Sequence, residues 1–143
     1  MPDWDMGIAS DRLHHTVEYD SATGCLHIRI SGRLDIVGVR AAFDNIFARA
    51  REHGCRCMLT DLRGTEIGLD KVDLFDIATH FSTHAAPGLS RRAIVAAAAP
   101  DLTRFYETAS ANRGQHVRVF RDLDSAREWL FGQKAPPDPA ATR

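Results

Sequence analysis

Three groups of residues in this chain have types and spacings that chemistry uses. Asp76, His80 and His84 recur every fourth residue, so on a helix they form one stripe. Two imidazoles one turn apart can grip a metal ion, and nitrogen ligands suit zinc or nickel. The stripe has no His-Glu-x-x-His arrangement and no third ligand at a known spacing. It therefore reads first as a polar helix flank whose charge follows pH, with a metal-dependent enzyme as the remoter alternative. Cys55 and Cys57 are spaced for metal ligation but lack a second pair. They also stand too close for an unstrained disulfide. The expected arrangement is a buried Cys57 at a strand entrance with Cys55 as its exposed neighbour.

The third group is Asp61, Arg63 and Thr65, followed in the next unit by Asp101 and Arg104. These positions fall at the carboxyl ends of two strands, where open parallel sheets gather ligands and partners. An Asp–Arg ion pair tying loops together explains them, and so does a recognition patch that includes Asp70 and Tyr106. Tyr106 is expected as a core ring with its hydroxyl at the rim. No nucleophile elbow occurs, and 63–68 has too few glycines and no lysine for a phosphate loop. No catalytic residue is assigned, no cofactor is expected, and the protein is expected not to be an enzyme.

The elements that position these groups follow from periodicity. Residues 13–20 and 25–31 alternate apolar and polar around a turn at 21–24, the pattern of an antiparallel hairpin. Apolar residues then recur at helical spacing from Ile36 to Ala50, with Asp35 as N-cap and Gly54 as C-cap. A strand at 56–62, a loop at 64–68 and a helix over 70–85 come next. A small-residue strand at 92–98 is apolar on both sides, as a central strand should be. A helix from Pro100 or Asp101 to Gly114, a strand at 116–120 and a short helix capped by Asp122 complete the order β-β-α-β-α-β-α-β-α. Helices between successive strands impose parallel pairing with right-handed crossovers. The first, second and last strands alternate, so the helices are expected mainly on one face. The other face should carry His27, Arg29, His116 and Arg118, as a solvated surface or as a dimer or ligand platform.

Composition bounds the rest. The 143 residues carry 18 basic and 19 acidic side chains, are 44% hydrophobic and 26% charged, and contain three cysteines. That balance suits one globular domain at 13–131, between a leader at 1–12 and a flexible tail at 132–143. Near-neutral charge argues against a dedicated nucleic-acid binder. No apolar run approaches the roughly 20 residues of a membrane helix. An odd cysteine count and an amino terminus without signal-peptide character make the cytoplasm the expected compartment.

Several segments resemble the STAS fold (sulfate transporter and anti-sigma-factor antagonist), especially small stand-alone bacterial SpoIIAA-like proteins. They are Thr60-Asp61-Leu62-Arg63-Gly64, Ala99-Pro100 through Arg104-Phe105-Tyr106-Glu107, and Val117-Arg118-Val119-Phe120-Arg121-Asp122 with Ala126 and Trp129-Leu130. The resemblance implies a five-stranded mixed sheet with an amino-terminal hairpin and about four helices. It also implies a regulatory module that binds a protein partner or itself, often switched by phosphorylation. Antagonists carry the phosphorylated Ser or Thr where the second helix begins. Here that stretch reads Glu66-Ile67-Gly68-Leu69-Asp70-Lys71-Val72, with Thr65 as the nearest hydroxyl. Kinship with lipid-binding members implies a second role, a carrier or sensor of a small apolar ligand. The small residues Ala93 to Ala99 could leave room for one between helices and sheet.

Overall fold

Alternating residues at the start of the chain build a hairpin in the computed structural model, which describes residues 12–85, 88–97 and 99–132. The expected leader up to residue 11 and the expected tail from residue 133 lie outside these residues. Strand β1 (His14–Asp20) pairs antiparallel with β2 (Cys25–Leu34), with Asp20 opposite Cys25 across the turn. Helix α1 (Ile36–His53) starts at Asp35, whose carboxylate accepts from the Gly38 N–H at 2.8 Å. It stops at Gly54, a left-handed residue (φ 59°) whose N–H donates to the Ala50 carbonyl. Strand β3 (Cys57–Ile67) leads to α2 (Lys71–His84), entered through a reciprocal cap between Asp70 and Asp73. Then come β4 (Arg91–Val95), α3 (Pro100–Ala111), β5 (Val117–Phe120) and α4 (Leu123–Phe131).

The strands lie in the order β1-β2-β3-β4-β5, and β2 through β5 run parallel. Three right-handed crossovers that step the same way along a sheet deliver their helices to one face. There Phe43, Ile46 and Phe47 of α1, Leu74, Ile77 and Phe81 of α2, and Tyr106 and Ala109 of α3 pack on Leu26, Met58 and Ile94. Phe81 meets Phe43 and Phe47 edge to face, with centroids 5.8 and 5.0 Å apart.

Helix α4 follows the last strand and bridges no pair, so the crossover rule does not direct it. It lies on the opposite face, where Ala126, Leu123, Trp129 and Leu130 pack with Cys25, Cys57, Leu59, Ala93 and Val95. The uncovered face is therefore narrower than strand alternation suggests and is confined to the β1–β2 side.

Two local expectations are corrected. Residues 64–67 of the expected loop are strand: after an irregularity between Arg29 and Ser31, β2 and β3 pair again from Ser31↔Gly64 to Leu34↔Ile67. Backbone hydrogen bonding to β2 outweighed the two turn-favouring glycines. Cys55 is 0% exposed, because the backbone turning out of Gly54 points it into the helix-side core.

Candidate functional site

The carboxyl edge of the sheet gathers fewer of the expected residues than their order suggested. Asp61 and Arg63 form a fork: Nε donates to Oδ1 at 2.9 Å and Nη2 to Oδ2 at 2.8 Å, while the Arg63 backbone N–H also reaches Oδ1 at 3.0 Å. These bonds from Arg63 hold the Asp61 carboxyl below its ordinary range, and Arg29, its register partner on β2, adds to the effect. The pair lies within β3, beside the irregularity in its pairing with β2, rather than joining two loops. The Thr65 hydroxyl donates to the Leu62 carbonyl at 2.6 Å. Asp70 is committed to the α2 cap, accepting from the Asp73 N–H at 2.8 Å. Asp101 and Arg104 are exposed on α3. Tyr106 is buried, and its hydroxyl accepts from Arg92 inside the protein rather than sitting at the rim.

On the uncovered face Asp61 joins a different set. With Thr16, Glu18, His27, Arg29 and Arg127 it lines a polar hollow of about 300 Å³ between the hairpin and α4. Burial lowers the affinity of His27 for a proton, and the nearby Arg127 guanidinium lowers it further. Its Nε2 is buried without a protein partner. His116 and Arg118 lie apart, beside α4. The His116 ring meets Trp129 edge-on at 5.5 Å, and the Arg118 guanidinium stands 5.3 Å from the Phe120 ring centroid. The four residues expected on one open surface thus fall into two pairs.

The histidine stripe is built into packing. His80 stacks on Phe43 at 5.4 Å and lies 4.3 Å from the His84 ring. Asp76 faces Arg40 at 3.9 Å. Among the described residues no group of three or more His, Cys, Asp or Glu side chains is placed to hold a metal ion.

Sequence reading missed two features. Val72 and Phe75 are 69% and 46% exposed on the outer side of α2. Their signal was present, since both fall off the stripe Leu74, Ile77, Ala78 and Phe81. Arg92 is buried in β4, with its side chain on the helix-facing side shared by Ile94. A charged residue in phase with the apolar residues of a central strand is the signal that could have found it.

No family model and no curated protein matches this sequence. Solved structures do. The chain is similar to an anti-sigma factor antagonist from Mycobacterium paratuberculosis, with 19% identity and a TM-score of 0.56, covering 84% of this chain and 95% of that one. It is also similar to an uncharacterized protein of the DUF3478 family with a SpoIIAA-like fold from Shewanella loihica. There the identity is 17% and the TM-score 0.56, covering 83% of this chain and 94% of that one. These likenesses define the fold. The five-stranded mixed sheet with its antiparallel start and four helices is the SpoIIAA-like, or STAS, fold. No helix among the described residues is long and apolar enough to cross a membrane.

Proposed function

We propose that this protein is a non-enzymatic regulatory module of STAS type that works by binding another protein or a second copy of itself. The observation that carries this reading is the exposed apolar pair Val72 and Phe75 at the start of α2. In the antagonists that this fold resembles, the regulated residue stands at that helix start. Exposed large side chains beside a polar rim are what a recognition surface needs. Where the resemblance puts the usual hydroxyl this chain has Asp70 or Lys71, and Asp70 caps α2, which supports a module that works without the phosphorylation switch at that position. Affinity purification of the whole chain from its source cells, beside a Val72→Glu/Phe75→Glu variant, tests the reading. The expected result is one stoichiometric partner, or a dimer, retained by the parent chain and lost by the variant. A parent chain that emerges monomeric and alone overturns it.

A second reading, a carrier or sensor of a small apolar ligand, is favoured by one observation. A cavity of about 120 Å³ lies between the helices and the sheet, lined by Leu74, Ile77, Ile94, Ala96 and their neighbours. An apolar cavity of this order can hold a ring the size of benzene. Native mass spectrometry of gently purified protein would show a bound small molecule; bare protein that also takes up no added apolar probe overturns this reading.

A further inference from the structure

Strand β4 carries a cation into the apolar layer. Arg92 is 7% exposed. Its Nη2 donates to the Tyr106 hydroxyl at 3.0 Å and to Gln115 Oε1 at 2.8 Å, and its guanidinium lies 3.5 Å from the centre of the Phe81 ring. All of these partners are neutral. The ion pairs among the described residues lie elsewhere in the molecule. A buried guanidinium without a carboxylate is a costly arrangement, only partly offset by an aromatic face. Such a charge is satisfied best by an anion arriving from outside.

The surroundings of Arg92 show where that anion would come from. On one side is the apolar cavity described above. On the other is a hollow of about 220 Å³, lined by Arg91, Arg92, Arg113, Gln115 and His116 and containing no carboxylate among its lining residues. Arg92 and Phe81 line both spaces. Arg113 is held at the hollow by bonds to neutral oxygens, from Nε to the Thr79 hydroxyl at 2.9 Å and from Nη1 to the Ala109 carbonyl at 3.1 Å. Arg91 likewise donates to the Trp129 carbonyl. Arg91 turns its guanidinium to Trp129 on the α4 face, whereas Arg92 and Arg113 line the hollow from the helix side, Arg113 also lying over the Phe75 ring, and neither has a carboxylate partner among the described residues. Planar forks of this kind match carboxylate and phosphate oxygens.

We propose that this junction binds an amphiphilic oxyanion. A carboxylate or phosphate ester head occupies the hollow between Arg92 and Arg113, and a short apolar tail passes Phe81 into the cavity. The inference rests on the ligand-carrier reading and gives it a chemical class. The cavity volume limits the tail to roughly a benzene ring or a few methylenes.

Amide NMR titrations of the whole chain with hexanoate, hexyl phosphate, hexanol and inorganic phosphate test it. One of the two amphiphilic anions is expected to bind at least tenfold tighter than hexanol and than inorganic phosphate, shifting resonances of β4 and α3. Arg113→Ala should weaken that binding at least tenfold, and Arg92→Met should do the same if it folds. The anion that binds identifies the head. Hexanol binding as tightly as the anions, or an unchanged affinity in Arg113→Ala, overturns the oxyanion site and leaves the apolar carrier standing. Inorganic phosphate binding as tightly as hexyl phosphate overturns the tail assignment. No binding by any of the four overturns the inference and the carrier reading together.

Discussion

His27 and His80 share one electrostatic condition: burial reaches each imidazole with a larger effect than any neighbouring anion. Both are pulled below the ordinary value of 6.5, His27 further by Arg127 and His80 further by His84 and Arg40. The sign of the consequence is fixed. Lowered folded-state values mean that the unfolded chain takes up protons first as the pH falls through 6.5. Stability is therefore complete above that pH and declines below it. Thermal melts at pH 7.5 and pH 5.5 should give a lower midpoint at the acid end, and His80→Phe should shrink the difference. An equal midpoint at both values would refute the assignment. Asp61 and Asp122, held low by hydrogen bonds from Arg63 and Ser125, lose their contributions only below 3.8, outside this window. Residue types such as capping aspartates were legible in the sequence because a cap is a local device. The role of Arg92 was not, because its burial depends on Phe81, Tyr106 and Gln115, which three other segments supply.

Elements were read well where a period of 3.6 or 2 ran unbroken. They were misread where tertiary pairing overrode local signals, as in the carboxyl half of β3, where Gly64 and Gly68 suggested a loop. The geometry of two positions gives element-level predictions. Ala99 begins α3 in the left-handed region, at φ 59° and ψ 58°, a conformation that a Cβ disfavours. Ala99→Gly should raise stability by roughly 0.5–1 kcal/mol, the strain removed less the extra entropy of the unfolded chain. Urea unfolding at unchanged slope is the measurement, and a lower midpoint would contradict it. Gly32 has the opposite need. Its φ is +90°, and a Cβ there would run into the carbonyl oxygen of Arg12. Gly32→Ala should cost about 2 kcal/mol or more, because both the conformation and the space are wrong for a side chain. A loss below 0.5 kcal/mol by the same assay would show that the β1–β2 edge adapts.

At the scale of the molecule, the sheet order followed from alternating strands and helices, but the two-sided cover did not. Periodicity tells which side of α4 is apolar; it does not say which face of the sheet receives a helix that links no strands. The result is a thin second core that encloses Cys25 and Cys57, while Cys55 sits in the larger one. All three thiols are free and buried. A thiol reagent such as Ellman's should label less than one sulfur per folded chain within minutes and all three after denaturation. Rapid labelling of the native chain would contradict this packing.

The strand order also has a consequence for how the protein is made. Every strand lies beside the one that precedes it in the chain, so a polypeptide leaving the ribosome can dock each new segment on the last without waiting for distant sequence. The exception is α4. Until α4 emerges, the greasy strip of Leu59, Ala93 and Val95 has no lid. In that interval the nascent chain exposes an apolar strip although the larger core on the other face has its helices in place.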